Sequence, residues 1–136
     1  MGRLPDGRVC FVHGTLPGAR VFVEVVKSKK NLAEADLIRI LEASPRRLAP
    51  KCPVFGECGG CAYQHMDYAL QLETKTTQVS ELLRRVGGIT TVEVLPMLAS
   101  PEIWGYRNRL SVDVNRGQIG FYHRKSHHLV ALFMGI

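Results

Sequence analysis

The chain has 136 residues, 46% of them hydrophobic and 22% charged, which is enough for one modest core or two very small ones. No apolar run approaches the roughly 18 residues of a membrane span, so we expect a soluble, cytoplasmic protein without a membrane partner. Eighteen Lys and Arg residues against twelve Asp and Glu residues give a formal net charge of +6, which favours a polyanionic partner.

The N-terminal third of the chain has the patterns of β-strands. The apolar run Arg8–Val12 predicts a strand with Cys10 on its core face, and Arg20–Lys27 predicts a second strand. The residues that follow Asn31 suit a helix by propensity and a strand by their period of two. The residues leave both open, and we predict a strand from Asp36 to Glu42 because the family resemblance given below implies a barrel, which would otherwise have an open edge.

Three of the four cysteines, Cys52, Cys58 and Cys61, lie within ten residues in the spacing C-x5-C-x2-C. In a reducing cytoplasm this clustering favours a metal site over disulfides. Gly59-Gly60 would let the backbone curl and turn its N–H groups toward thiolate sulfur. His65 could complete a Cys3His zinc site, whereas an iron–sulfur cluster as a rule needs a fourth thiolate. Spacing alone leans toward zinc and leaves both metals open.

A helix is predicted from Tyr68 to Val86, with Asp67 as its N-cap and Gly87-Gly88 ending it. Its apolar stripe is predicted at Ala69, Leu72, Val79, Leu82 and Val86. Strands are expected beyond it, with a hairpin turn at Asn115-Arg116-Gly117. The predicted strands are Val92–Val94, Arg109–Val114, Gln118–Tyr122 and Leu129–Phe133.

Several basic residues lie beside aromatic ones, a combination that binds phosphate and stacks on bases. The alternative for Arg107 is a buried ion pair, and Trp104 is expected in the core. The histidines of the loop from His123 to His128 are interpreted as part of a solvated basic loop and not as a metal site. The candidate RNA-binding residues are Lys29, Lys30, Tyr106, Arg107, Arg109, Tyr122, Arg124 and Lys125.

The stretch Pro50-x-Cys52-Pro53-x-Phe55-Gly56-x-Cys58-Gly59-Gly60-Cys61-x-x-Gln64-His65 resembles the iron–sulfur signature of the RNA uracil-5-methyltransferases. Within that family it is most similar to the branch acting on large-subunit (23S) ribosomal RNA. Residues 11–21 resemble the family's TRAM domain, an RNA-binding barrel related in shape to the OB-fold. Four further segments are similar to the family's central domain: Gln71-x-x-x-Lys75, Gly105-Tyr106-Arg107-Asn108, Gly120-Phe121-Tyr122 and Ser126-His127.

The resemblance implies an α+β protein in two domains. Residues 1–48 would form a truncated OB-like TRAM β-barrel without its first strand, and residues 49–136 a small α+β iron–sulfur cluster-binding domain, incomplete at its C-terminus. Cys52, Cys58 and Cys61 would hold a 4Fe-4S cluster. The family's fourth cysteine would lie near Met134 or Gly135, where this sequence has none.

The resemblance also implies that RNA recognition and catalysis belong to different domains. In the family, S-adenosylmethionine and the catalytic residues belong to a downstream domain. We therefore expect an N-terminal part that recognises RNA, lacks the catalytic domain and is inactive alone. The partner would be ribosomal RNA, with no DNA partner expected. The alternative is a free-standing Cys3His zinc module that binds RNA without catalysis.

Overall fold

The computed structural model describes residues 1–131, which divide into two compact units, Met1–Arg47 and Leu48–Ile136. The sequence-based boundary was placed after Leu48, and the structural division follows Arg47. The end of the predicted strand Leu129–Phe133 and the expected position of a fourth cysteine lie outside the described residues.

Unit 1 is built on a four-stranded sheet in the order β1-β2-β4-β3. Its β2–β4 pair is parallel, and its other pairs are antiparallel. Cys10, Ala33 and Ala35 are buried at its centre, with Val12 and Val23 packed against them. The prediction that Cys10 lies on the core face is therefore confirmed. The strands are β1 (Gly2–Arg3), β2 (Val9–Val12), β3 (Arg20–Ser28) and β4 (Leu32–Glu42).

β4 settles the ambiguity between helix and strand. It pairs with β3 from Arg20↔Glu42 to Ser28↔Ala33 and with β2 on its other side. The predicted strand is confirmed, and it begins earlier than expected, at Leu32. Strand neighbours on both sides outweigh the helical propensity of this segment, because propensity is a weak preference that tertiary pairing overrides.

Unit 2 contains the helix α1 (Tyr68–Arg85). The Asp67 carboxylate accepts a hydrogen bond from the Leu70 N–H at 2.7 Å, and the Gly87 N–H donates to the Leu82 carbonyl at 3.1 Å. Both predicted ends are confirmed. Along the predicted apolar stripe Leu72 is half-buried and Val79, Leu82 and Val86 are exposed, whereas the buried residue of the helix is Leu70. A period of 3.6 residues identifies an amphipathic helix, but not which turns a neighbour covers.

The second sheet also lies in unit 2 and has the order β5-β6-β7, all antiparallel. Its strands are β5 (Asp113–Asn115), β6 (Gln118–Tyr122) and β7 (Leu129–Ala131). Arg116 and Gly117 have φ angles of 51° and 79°, which confirms the predicted hairpin turn, and β6 has the predicted bounds.

Two strand predictions in this unit need correction. Val92–Val94 is not a strand, and the strand predicted from Arg109 begins only at Asp113. A strand needs a partner backbone as well as alternating side chains, and between Arg109 and Asn115 only the last three residues have one. No helix formed by residues 1–131 has the length and apolar character needed to cross a membrane.

Candidate metal centre and nucleic-acid interface

The cysteine loop, residues 52–61, is closed by its own backbone hydrogen bonds. The Phe55 N–H donates to the Cys52 carbonyl at 3.2 Å, and the Cys58 N–H donates to the Val54 carbonyl at 3.0 Å. Gly56 between them has a φ of 100°, a conformation that favours glycine. The Cys52 N–H donates to the Gln64 side-chain oxygen at 3.1 Å. The loop is therefore tightly folded before any metal is considered.

The glycine pair fixes the cysteine loop against the end of β6. The Gly59 N–H donates to the Tyr122 carbonyl at 3.0 Å. A Cβ atom at Gly59 would lie 2.8 Å from that carbonyl oxygen, and one at Gly60 would lie 2.9 Å from the Phe121 ring. Both distances are shorter than real Cβ contacts, so the close approach requires glycine at Gly59, where the neighbour is backbone, and favours it at Gly60, where the neighbour is a side chain.

The sulfur atoms lie at different depths: Cys58 is buried, Cys52 is half-buried and Cys61 is exposed, and all are free thiols. The Gly60 N–H donates to the Cys58 sulfur at 3.3 Å, as expected from the sequence. An N–H donor stabilises negative charge on sulfur, so it favours the thiolate that binds metal.

The proposed zinc ligands do not surround a single ion. Residues 1–131 contain no group of three or more His, Cys, Asp or Glu side chains placed to hold one metal ion. His65 is buried, and its ring centroid lies 5.3 Å from that of Phe55. A four-iron cluster is bound at separate iron atoms, so its thiolates need not converge on one point. The iron–sulfur site therefore stays a prediction.

The basic loop, residues 123–128, connects β6 to β7 and is joined to the cysteine loop. The Arg124 N–H donates to the Glu57 carbonyl at 3.2 Å, and the Arg124 guanidinium donates to the Cys61 carbonyl at 3.4 Å. Cys58 and His123 form an antiparallel bridge. Three predicted RNA-binding residues, Tyr122, Arg124 and Lys125, are exposed at this junction.

Another predicted group lies in the segment before β5. Tyr106 is 64% exposed, and the Arg107 guanidinium carbon lies 5.8 Å from the centre of its ring. Arg107 and Arg109 are exposed, so the alternative of a buried Arg107 is wrong. The placement of Trp104 in the core is also wrong: it is exposed, with the Lys51 ammonium 4.7 Å from its ring.

Lys29 and Lys30 are exposed at the connection between β3 and β4, in unit 1. Sequence reasoning missed an aromatic–cation pair in unit 1, in which the Arg39 guanidinium carbon lies 5.9 Å from the centre of the Phe22 ring. Alternation along β3 was the available signal, since Phe22 falls between the half-buried Val21 and Val23.

Comparison with known proteins gives two findings. Residues 1–38 match the TRAM domain family. A protein of Synechocystis sp. named an uncharacterized RNA methyltransferase is 45% identical over 135 residues, which is 96% of this chain and 29% of the relative. Proteins of the same description from Halalkalibacterium halodurans and Gloeobacter violaceus are 42% and 40% identical, covering 92% and 97% of this chain and 28% and 30% of their own lengths.

The chain thus spans under a third of the length of these relatives, while they match nearly all of it. The similarity includes both structural units, since it extends far beyond the TRAM match. Residues 1–38 therefore match a TRAM domain, and nearly the whole chain is similar to one part of the proteins described as RNA methyltransferases.

Proposed function

We propose that this chain is the RNA-recognition and iron–sulfur-binding part of an S-adenosylmethionine-dependent RNA uracil-5-methyltransferase that acts on ribosomal RNA. The observation that carries the proposal is the junction of the cysteine loop with the basic loop. There Arg124 donates to both Glu57 and Cys61, so candidate metal ligands and candidate phosphate ligands belong to one structure. The relatives' description as RNA methyltransferases supports the RNA partner.

Cys52, Cys58 and Cys61 are the residues that would hold the 4Fe-4S cluster. Three features suit them to it: the folded loop, the glycines that leave no room for a Cβ, and the N–H bond to the Cys58 sulfur. When bound, the cluster would tie the loop together and need not undergo a redox step. The loop would in turn hold Arg124 in place through its two hydrogen bonds.

RNA binding is assigned to the exposed residues at this junction and to the other basic–aromatic groups. Arg124 and Lys125 would contact phosphate, while Tyr122, which is 39% exposed, would stack on an unpaired base. Tyr106 with Arg107 and Arg109, and the Lys29-Lys30 turn, would extend the contact. S-adenosylmethionine and the reacting uracil would be bound by other parts of the protein, and this chain would position the RNA.

The alternative of a free-standing zinc module is not favoured, because the relatives that match nearly the whole chain are described as RNA methyltransferases. Metal analysis distinguishes the two. Protein purified without oxygen should be brown and contain iron and acid-labile sulfide. Cys58→Ser should lose the iron, whereas Cys10→Ala, in the core of the other unit, should keep it. Colourless protein with one zinc per chain would refute the iron–sulfur assignment.

The RNA assignment is tested by the salt dependence of binding to a short labelled single-stranded RNA, measured by fluorescence anisotropy. If about four to six phosphates are neutralised, the slope of log K against log salt should be about −3 to −4. Replacing Arg124 and Lys125 by Gln should reduce its magnitude by about one to two units. The matched control replaces Arg84 and Arg85 by Gln. These two arginines form ion pairs with Glu81, so their replacement should leave the slope of log K against log salt unchanged. If the affinity of the wild-type chain does not depend on salt, the proposal that it binds RNA is refuted.

A further inference from the structure

The outer face of the sheet in unit 1 carries an exposed aromatic ring with a cation beside it. Phe22 on β3 pairs with Arg39 on β4, and the Arg39 guanidinium carbon lies 5.9 Å from the ring centre. Val23, the next residue along β3, packs against the buried core, so Phe22 points to the opposite side. Phe22 is 56% exposed, which leaves most of its ring accessible to a flat ligand.

The Arg39 cation beside the Phe22 ring favours an anionic ligand. Arg20 and Lys27 are paired with Glu42 and Glu34 across the β3–β4 ladder. By contrast, within residues 1–131 no ion pair is formed by Arg39, Lys29 or Lys30. Lys29 directly follows β3 and lies about 23 Å along the chain from Phe22 at ~3.3 Å per residue. The sheet thus offers a stacking surface and a cation at one end and cations at the other.

We propose that Phe22 and Arg39 form a nucleotide-binding site on the TRAM domain, in which an unpaired RNA base stacks on the Phe22 ring and Arg39 contacts the adjoining phosphate. Stacking on an exposed ring is a sequence-tolerant way to hold single-stranded RNA, and an arginine beside the ring adds charge attraction. The inference rests on the proposed RNA function and adds a contact site in the other structural unit. Its position on β3 and β4 makes it more rigid than a site on a loop.

The test compares Phe22→Leu with Phe11→Leu in the 136-residue chain, using the same labelled single-stranded RNA and anisotropy assay. Phe11 is a matched control, because it is also a strand phenylalanine, is 50% exposed and follows the buried Cys10. Phe22→Leu should weaken binding by about 5-fold or more, the lower end of what loss of one base–aromatic stack costs, without changing the salt slope. Phe11→Leu should leave the affinity unchanged. Arg39→Gln should reduce the magnitude of the salt slope by about 0.7.

The outcomes separate this inference from the function on which it rests. If the wild-type chain does not bind RNA, the proposed RNA function and the Phe22 site are both refuted. If it binds and Phe22→Leu binds equally well, or if Phe11→Leu weakens binding as much, the Phe22 site is refuted and the wider RNA function stands. A second measurement needs no variant: RNA containing 5-iodouridine is crosslinked by light to the wild-type chain. The crosslinked peptide should contain Phe22, and crosslinks confined to unit 2 would overturn the proposal.

Discussion

Replacing Gly59 by alanine tests the contact between the cysteine loop and β6. The new methyl group would lie 2.8 Å from the Tyr122 carbonyl oxygen and 3.7 Å from the Arg124 Cα. Because Tyr122 pairs with Leu129 in the sheet, that carbonyl cannot move aside as a flexible side chain would. The Gly59 N–H also donates to the same oxygen at 3.0 Å, so relieving the clash weakens this hydrogen bond.

The expected cost follows from those two effects. Overpacking costs about 1–3 kcal/mol, and a weakened backbone hydrogen bond costs about 0.5–1.5 kcal/mol. Gly59→Ala should therefore lower the free energy of unfolding of unit 2 by about 2–4 kcal/mol. Gly60→Ala should cost less, about 1 kcal/mol, because its Cβ meets the Phe121 ring, which can tilt. Gly60→Ala, in the same unit, is therefore the comparison for Gly59→Ala.

Urea unfolding followed by tryptophan fluorescence measures this loss. Trp104 is the one tryptophan of the sequence and lies in unit 2, so its signal reports on the unit that contains Gly59. With a denaturant slope of about 1–2 kcal/mol per molar, the urea midpoint should fall by about 1 M or more. Iron content should fall with it. A urea midpoint for Gly59→Ala equal to that of the wild-type chain would refute the close approach of the loop to β6.

Features that depend on nearby backbone could be predicted from the sequence. Asp67 marks the start of α1 because its carboxylate accepts from an N–H three residues ahead. Gly117 marks the hairpin turn because its positive φ angle of 79° suits glycine. The donation from Gly60 to the Cys58 sulfur spans two residues. In each case the interacting groups are close in sequence, so composition and spacing identify them.

Features that depend on distant partners could not be predicted. The parallel pairing of β2 with β4 sets the order of the first sheet, yet neither strand's pattern identifies its neighbour. Trp104 was expected in the core, but it is exposed, because exposure depends on which elements cover a residue. The turns of α1 that are buried could not be deduced from periodicity for the same reason.

The candidate site likewise has features that could be predicted from the sequence and features that could not. The spacing of the cysteines indicated a metal loop, but the donation from Arg124 to Cys61 joins residues 63 positions apart. The Phe22–Arg39 pair depends on the register of β3 and β4, which shifts at irregularities beside both Val21 and Val23. A shift of one residue changes which side chains share a face, so alternation alone could not bring this pair together.

Three further changes have expected outcomes in the same urea assay. Asp67→Ala should cost about 1 kcal/mol by removing the N-cap of α1, and Asp67→Asn should retain most of that stability. Gly117→Ala should cost about 1–2 kcal/mol, because its φ of 79° is unfavourable for a residue with a Cβ. Glu81→Gln tests charge. Hydrogen bonding to Arg84, assisted by the charge of Arg85, lowers the pKa of Glu81 from its ordinary value. The stabilisation from this depressed pKa is present above the ordinary value and is lost as the pH falls through the lower one. The wild-type chain should therefore be slightly more stable to urea than Glu81→Gln at neutral pH. This difference in stability should vanish in strong acid or in about 1 M salt, which screens exposed ion pairs. A difference that persisted in acid would show that the glutamine acts by some means other than loss of the carboxylate charge.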